Sequence, residues 1–530
     1  MTDDFQSVYF ADLIAHQAEV LGDKTYIHFE DEKISFAQYY KATCRAANGL
    51  ADQGAKPGDG VAILMGNCPE YLYTFYGMPS GGFYTVPINV SLKGDGLQFI
   101  LTNSDVKYLI VDDDLYPKVE TFEKPIGNIE KIFVRRTTDV DLPQGTIGLE
   151  ELFDASSENP GHTIKEGDIS NLIYTSGTTG LPKGVVGRNR PGIGMYFQFI
   201  AASIFTQDND ILYTSLPLFH ANALMLTSGW ALGGGLTFGL DRKFSASRFW
   251  DRVRHYRATQ FNAIGAMIPI LMKQPEKEND ADNPVRLVQS AACPESLWEK
   301  FEKRFNVTIW EGYGAVDGGG VSVSNAGDAP PGSVGKPAPN IVWKLVDDDG
   351  NEVPQGEIGE LISEVTDKKT GGVEYYKNPE ASAKKVQGGW IHSGDLFYAD
   401  KDGNLYFVDR KSDSMRRRGE NISSWEVENI VEKYEDAARC AAFGVPSELG
   451  EDEVMIRVEP KKGVTLDIKD LMKFCAEKMA YFMVPRYVDV VDEVPQTGTL
   501  RVMKAEMKKI GVTDQTWDRE KEMPDLKLKK

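Results

Sequence analysis

The stretch Tyr174–Gly184, YTSGTTGLPKG, gathers Thr175, Ser176, Thr178 and Thr179 around Gly177 and Gly180 and ends on Lys183 and Gly184. A loop of this composition buries little apolar surface and loses much conformational freedom when it orders. Its glycines let backbone N–H groups converge, its hydroxyls add donors and its ammonium adds charge. The guest it suits is an anion, and a nucleotide triphosphate fits. The spacing Gly177-x-x-Gly180-x-x-Lys183 does not match GxxxxGK[ST], so this is not a Walker A loop. Taken alone, the stretch also reads as a glycine-rich surface turn.

The elements around the loop indicate what positions it. Short apolar runs, GVAILM (60–65), KYLIVDD (107–113) and NLIYTS (171–176), alternate with segments of helical period such as SFAQYYKATCRAANGLADQG (35–54). That alternation predicts α/β layering around largely buried sheets. Near residue 330 the texture changes to short strands punctuated by Gly, Pro and Asp-Gly, as in a small β-barrel-like part. A hairpin turning at Asp402-Gly403 follows, then a helix leading into a strand. The expected fold is α/β, with a large N-terminal domain of α/β layers plus the β-barrel-like part. A boundary near Asp409 leaves a C-terminal α+β domain of about 120 residues.

At 530 residues the chain is long enough for more than one domain. A net charge of −20 argues against nucleic acid or an anionic membrane as partner, so an anionic ligand needs a built pocket. Five scattered cysteines without a CxxC pair, and six histidines outside metal spacing, read as a reduced chain without a metal cluster. The start, MTDDFQSVYFADLIAHQAEV, lacks a basic n-region, and no run reaches eighteen apolar residues. The expectation is a cytoplasmic protein with no integral membrane segment.

Further segments, in order, are LPLFHANAL (216–224), EGYGAVDGG (311–319), GSVGKP (332–337), WIHSGDLFYADKDGNLYFVDRKSD (390–413), RGENISSWEVE (418–428) and VPQTGTLRVMK (494–504). With the glycine-rich loop they resemble, collinearly and over nearly the whole chain, the adenylate-forming superfamily. That group comprises acyl-CoA synthetases, adenylation domains of peptide synthetases and beetle luciferases. The resemblance implies a two-step reaction. A carboxylate attacks the α-phosphate of ATP and expels pyrophosphate, which the Thr175–Lys183 loop stabilises with magnesium; a thiol then displaces AMP.

It further implies that Tyr313 packs on adenine opposite the turn Ala291-Ala292-Cys293, with Glu311 and Gly312 beside it. Asp395 accepts from the ribose hydroxyls, Arg410 lies near ribose and phosphate, and His220 orients the acid. The acyl group is expected beside Ala263, Gly265, Ala266 and Gly312; their small side chains read equally as room for a bulky acid or as close packing. The small domain is implied to be mobile, rotating about a hinge at 409–413 with Ser412 as pivot. Domains are then 1–408 and 414–530, and Arg418, Gly419, Glu420 and Asn421 line the coenzyme A channel.

Several positions depart from the superfamily pattern. Ser412 replaces the usual Asp or Lys, and Arg418 stands where many members have glycine. The run Arg416-Arg417-Arg418 reads as a contact for coenzyme A phosphates or as a solvated cluster. Asp317 replaces a magnesium-binding glutamate and, with Thr175, makes the candidate metal site. The adenylation lysine aligns with Arg501, which keeps the charge but not the shape; Lys504 lies three residues on. Within the superfamily a free-standing coenzyme A ligase of the fatty-acid or carnitine-type branch is expected, using ATP, Mg2+ and coenzyme A on a fatty or bulky acid, with a homodimer by analogy. The alternative is a catalytically impaired homologue that binds nucleotide or acyl-CoA as a sensor or partner protein.

Overall fold

The computed structural model describes residues 9–122, 126–175, 181–204, 207, 209–264, 267–291, 293–318, 322–347, 349–365, 372–411, 415–418, 420–422, 424–447, 450–494 and 504–528. Of the residues named above, Ser176, Gly177, Thr178, Thr179, Gly180, Gly265, Ala266, Ala292, Ser412, Gly419 and Arg501 lie outside these, as do the side chains of Arg410 and Asn421.

Among the described residues two large sheets dominate. The nine-stranded sheet runs in the order Lys336–Pro337, Ser322–Asn325, Thr308–Gly314, Leu287–Ala291, Gln260–Ile264, Ile211–Thr214, Thr237–Leu240, Thr25–Phe29, Glu32–Ser35. It is parallel from Thr308–Gly314 through Thr25–Phe29 and antiparallel at both edges. The seven-stranded sheet runs Ile147–Gly148, Lys131–Arg135, Val106–Asp112, Gly60–Leu64, Tyr84–Pro87, Ile169–Thr175, Lys183–Arg188, and only its last pair is antiparallel. The strand Gly60–Leu64 is buried at every position, as expected for a parallel strand covered on both faces.

The helices Phe36–Asp52 and Pro69–Gly77 share one apolar core with side chains of both sheets, Ile27 and Phe238 from one and Ile63 and Phe133 from the other. The first of these helices begins in a reciprocal cap: Gln38 N donates to Ser35 Oγ at 3.2 Å and Ser35 N to Gln38 Oε1 at 2.8 Å. The β-barrel-like part is a five-stranded sheet of Trp343–Val346, Gly359–Glu364, Trp390–Ala399, Val386–Gln387 and Leu405–Arg410. Gly335 ties it to the large sheet: at φ 85° a Cβ there would lie 1.9 Å from Ser324 O, so only glycine lets the chain pass. A separate C-terminal core, including Met415, Ile422, Val427, Val458 and Leu471, sits on a four-stranded sheet of Ala437–Pro446, Asp452–Pro460, Tyr487–Val490 and Trp517–Asp518. The α/β layering, the extra β part and the small α+β domain expected from the sequence are all present. Among the described residues no helix is long and apolar enough to cross a membrane.

Candidate active site

The glycine-rich loop joins the antiparallel strands Ile169–Thr175 and Lys183–Arg188, with Thr175 paired to Lys183 and Tyr174 to Gly184. Thr175 Oγ1 donates to Lys183 O at 3.5 Å. The Lys183 ammonium stands 5.4 Å from the centre of the Tyr375 ring. Burial holds it below the ordinary lysine range, against the pull of the Asp317 carboxylate and with the repulsion of Lys385 and Lys384. Asp317 accepts from Tyr375 Oη at 2.6 Å and pairs with Lys385 Nζ at 3.5 Å. Lys183 and Lys385 thus set two ammonium groups around the Asp317 carboxylate, an arrangement that suits a polyanion.

On the neighbouring wall, Tyr313 Oη donates to Asp395 Oδ2 at 2.6 Å. Each comes from a different sheet: Tyr313 from Thr308–Gly314, Asp395 from Trp390–Ala399. Phe397 holds the Tyr313 ring edge-on at 4.9 Å between centroids. Glu360, itself buried, fixes the turn that presents Asp395, accepting from Gly394 N at 3.0 Å and from Lys411 Nζ at 2.9 Å. Burial pushes the Glu360 carboxyl up, but Lys411, His392 and the Gly394 N–H outweigh it and hold it below the usual carboxylate range. Across the turn, Cys293 N donates to buried Glu311 at 3.2 Å.

The third wall carries His220, set just ahead of the π-helix Asn222–Gly229, an irregular helix of the kind that recurs at functional sites. His220 Nε2 lies 3.0 Å from Glu420 Oε2, which also accepts from Asn89 Nδ2 at 3.1 Å. Glu420 belongs to the C-terminal hairpin of Met415–Arg417 and Glu420–Ile422, so the small domain reaches into the site. A second contact supports that docking, from Lys93 Nζ to Ala476 O at 2.8 Å.

These groups line one cleft of about 2090 Å3. Thr175, Lys183 and Asp317 lie on it, as do Tyr313, Asp395, Glu311, Gly312, His220 and Glu420. Tyr196, Phe199 and Leu226 give it an apolar side, and Asn262, Gln289 and Trp310 lie on it too.

The sequence pattern of the AMP-binding enzymes matches residues 14–364, and that of the AMP-binding enzyme C-terminal domain matches residues 426–500. The chain belongs to the AMP-binding enzyme family. Crotonobetaine/carnitine–CoA ligase of Salmonella heidelberg (strain SL476) is 32% identical over 509 residues, covering 93% of this chain and 97% of that enzyme. Among solved structures, a double mutant of o-succinylbenzoate CoA synthetase from Bacillus subtilis superposes with TM-score 0.78 at 24% identity, covering 94% of this chain and 98% of that one. The fatty acyl CoA synthetase of Mycobacterium tuberculosis gives TM-score 0.67 at 24% identity over 96% and 99%. At that identity the two structures speak for the fold.

Two expectations for this AMP-binding enzyme need correction. Ala263 is 1% exposed in the main core and does not line the cleft; Asn262 and Ile264, its neighbours on the strand, do, because strand side chains alternate between faces. Arg417 is neither a phosphate contact nor a solvated charge: it is 1% exposed, donates to Phe482 O at 3.0 Å and Val484 O at 2.9 Å, and pairs with Glu453 at 2.7 Å off the hydrogen-bond line. Arg418 remains exposed, at φ 56°, the left-handed region that glycine adopts freely. Cys293 is buried, and burial, with the nearby Glu311 and Glu302 carboxylates, pushes its thiol well above the ordinary range. Lys504 is held at 2.6 Å by Ser424 and at 2.7 Å by Glu428 inside the C-terminal domain.

Sequence reasoning did not single out Tyr375, Lys385, Glu360, Asn89, Asn262 or Gln289. Tyr375 and Lys385 sit in EYYKNPEASAKK, where nothing in type or spacing marks them. Asn262 lies inside the segment expected to wall the acyl group, and a polar residue among apolar ones was the available signal.

Proposed function

We propose that this chain is an AMP-forming acid–thiol ligase. A carboxylate oxygen attacks the α-phosphorus of ATP and pyrophosphate leaves; the sulfur of coenzyme A then attacks the acyl carbon and AMP leaves. One observation carries this reading: Lys183, Tyr313, Asp395 and His220 arise from four separate segments and line one cleft, in a chain 32% identical across 93% of its length to a coenzyme A ligase.

Lys183 and the Thr175–Gly180 loop receive the phosphates and offset the charge that pyrophosphate develops on leaving. Tyr313 offers its ring to adenine, Asp395 its second oxygen to the ribose, and Arg410 its charge beside them. His220 orients the acid, so that bringing two reactants into register lowers the entropic part of the barrier. Magnesium fits the donor set: Asp317 presents a hard oxygen ligand, and a carboxylate bonded to Tyr375 and Lys385 retains lone pairs. An ion that keeps most of its waters needs little more from the protein than one such carboxylate beside the nucleotide phosphates.

The small domain, 414–530, turns about a hinge at 409–413 with Ser412 as its pivot, and the pose with Glu420 beside His220 serves the thiol step. In the adenylating pose Arg501 supplies the cation that other members draw from lysine. The acid is fatty or bulky, and the chain works in the cytoplasm. The test is acid-dependent pyrophosphate release from magnesium ATP across short, medium, long, aromatic and steroidal acids. Release with one class, and AMP as the nucleotide product, is expected. ATP binding without release from any acid contradicts it and leaves a nucleotide-binding sensor.

A further inference from the structure

The segment that carries His220 is gripped on both sides by side chains that belong with the seven-stranded sheet. On the near side, Asn67 follows the strand Gly60–Leu64 of that sheet and is 5% exposed. Its Nδ2 donates to Leu216 O and to Asp241 O, each at 2.8 Å, and its Oδ1 accepts from Leu218 N at 2.8 Å. Donors on two carbonyls and an acceptor on an N–H leave the amide a single orientation. Leu216 and Leu218 lie past the strand Ile211–Thr214 of the nine-stranded sheet, and Asp241 lies past its neighbour Thr237–Leu240. One buried amide therefore ties together strand ends from both sheets. The turn then closes on the histidine, with His220 N donating to Pro217 O at 3.1 Å.

On the far side, Tyr76 comes from the helix Pro69–Gly77, which starts just after Asn67, and is 4% exposed. Its Oη donates to Leu224 O at 2.5 Å, within the π-helix Asn222–Gly229, and Leu224 N donates to His220 O at 3.1 Å. Leu224 thus carries the hold of Tyr76 back to the histidine backbone. Neither Asn67 nor Tyr76 lines the cleft, whereas His220 does. Glu420 also meets His220, but it belongs to the small domain and, in the rotation proposed above, leaves with it.

We infer that Asn67 and Tyr76 are positioning residues for adenylation: they fix the chain before and after His220 and hold its imidazole for the acid while the small domain, with Glu420, is turned away. The inference rests on the role given to His220 in the proposed function. An orienting group speeds a reaction only while it is itself held, so loosening the backbone around His220 costs the step in which His220 acts. The hold consists of buried hydrogen bonds, and removing one loosens the histidine without touching Tyr313 or Asp395.

The experiment measures acid-dependent pyrophosphate release without coenzyme A, using whichever of acetate, octanoate, palmitate, benzoate or cholate the wild type takes best. Tyr76→Phe keeps the ring stacked on Phe10, at 4.7 Å between centroids, and leaves Leu224 O the Ser228 Oγ donor. It is expected to slow release about fivefold with KM for ATP unchanged. Asn67→Ala, which removes the partner of Leu216 O, Asp241 O and Leu218 N, is expected to slow it about tenfold or more. In a His220→Ala background neither substitution is expected to slow release further, because a residue that acts through the histidine then has nothing to position. Should Asn67→Ala fail to fold, Tyr76→Phe decides. Equal slowing with and without His220, or a folded Tyr76→Phe enzyme that matches the wild type, would overturn the inference and leave the ligase reading standing. A His220→Ala enzyme as fast as the wild type would overturn it together with the role of His220. Release from no acid would overturn both the inference and the ligase reading.

Discussion

The Glu420 carboxylate of the C-terminal hairpin lies 3.0 Å from His220 Nε2 and 3.1 Å from the Asn89 amide, joining the small domain to the large one at the cleft. This contact exists only while the small domain is docked as it is here. If this pose serves the thiol step, Glu420→Ala depresses thioester formation about tenfold more than it depresses acid-dependent pyrophosphate exchange, roughly the worth of one charge-assisted contact. The two half-reactions are measured separately, and equal losses would count against the assignment of the pose.

On the proposed reading, the bond from Tyr313 to Asp395 couples the adenine and ribose ends. Tyr313→Phe removes a 2.6 Å hydrogen bond to a buried carboxylate while keeping the ring. The expected result is a KM for ATP about tenfold higher, with Asp395→Ala costing more, and little change in KM for coenzyme A. A Tyr313→Phe enzyme with unaltered ATP dependence would show that the bond carries no nucleotide affinity.

Burial holds the Lys183 ammonium below the ordinary lysine range, so the charge that the proposed function assigns to the phosphates is lost at a lower pH than for a free lysine, near 10.4. KM for ATP is therefore expected to rise with pH before that value is reached. Lys183→Arg, charged throughout the range, shifts the rise upward. Stability of the ligand-free protein moves the other way. Between the lowered folded value and the unfolded one the unfolded chain binds more protons, so stability climbs with pH. Identical alkaline limbs for wild type and variant would remove Lys183 from the phosphate site.

Gly312 gives a probe of the ligand rather than of the fold. A Cβ there would meet nothing nearer than Val323 O at 3.6 Å, an ordinary contact. Gly312→Ala is expected to leave thermal stability within about 0.5 kcal/mol, as for substitutions without a steric cause, yet to raise KM for the acid or ATP several-fold. A loss of stability without a change in KM would mean that the ligand does not pass this wall.

Lys504, the other basic residue near Arg501, is engaged by Ser424 and Glu428. Arg501→Ala is accordingly expected to slow adenylation by about a hundredfold and to leave conversion of a supplied acyl-adenylate to thioester much less affected. Arg501→Lys restores part of the first rate. Unchanged adenylation in Arg501→Ala would contradict its role.

Contiguous motifs were the legible part of this site. Thr175, Lys183, Tyr313, Asp395 and His220 were marked by motifs that resemble a family pattern, and the structure brings all five to one cleft; the layered α/β fold followed from short apolar runs such as Gly60–Leu64. Partners brought by the fold from unmarked segments were not legible: Tyr375 against Asp317, Glu360 beneath Asp395, Asn89 against Glu420. The phase of a strand was not legible either. Asn262 and Ala263 are adjacent and face opposite ways, and only the packing of the two faces decides which one meets the cleft. Arg417 reads as one of three surface charges until the chain places it under Phe482 and Val484.

The central claim is best tested in a single turnover. Enzyme, magnesium ATP and a turned-over acid are mixed without coenzyme A, the bound nucleotide is quenched and identified, and coenzyme A is then added. One acyl-adenylate and one pyrophosphate per active site in the first stage, converted to thioester and AMP in the second, is the predicted result. ADP in place of AMP, or no thioester after coenzyme A is added, would contradict it.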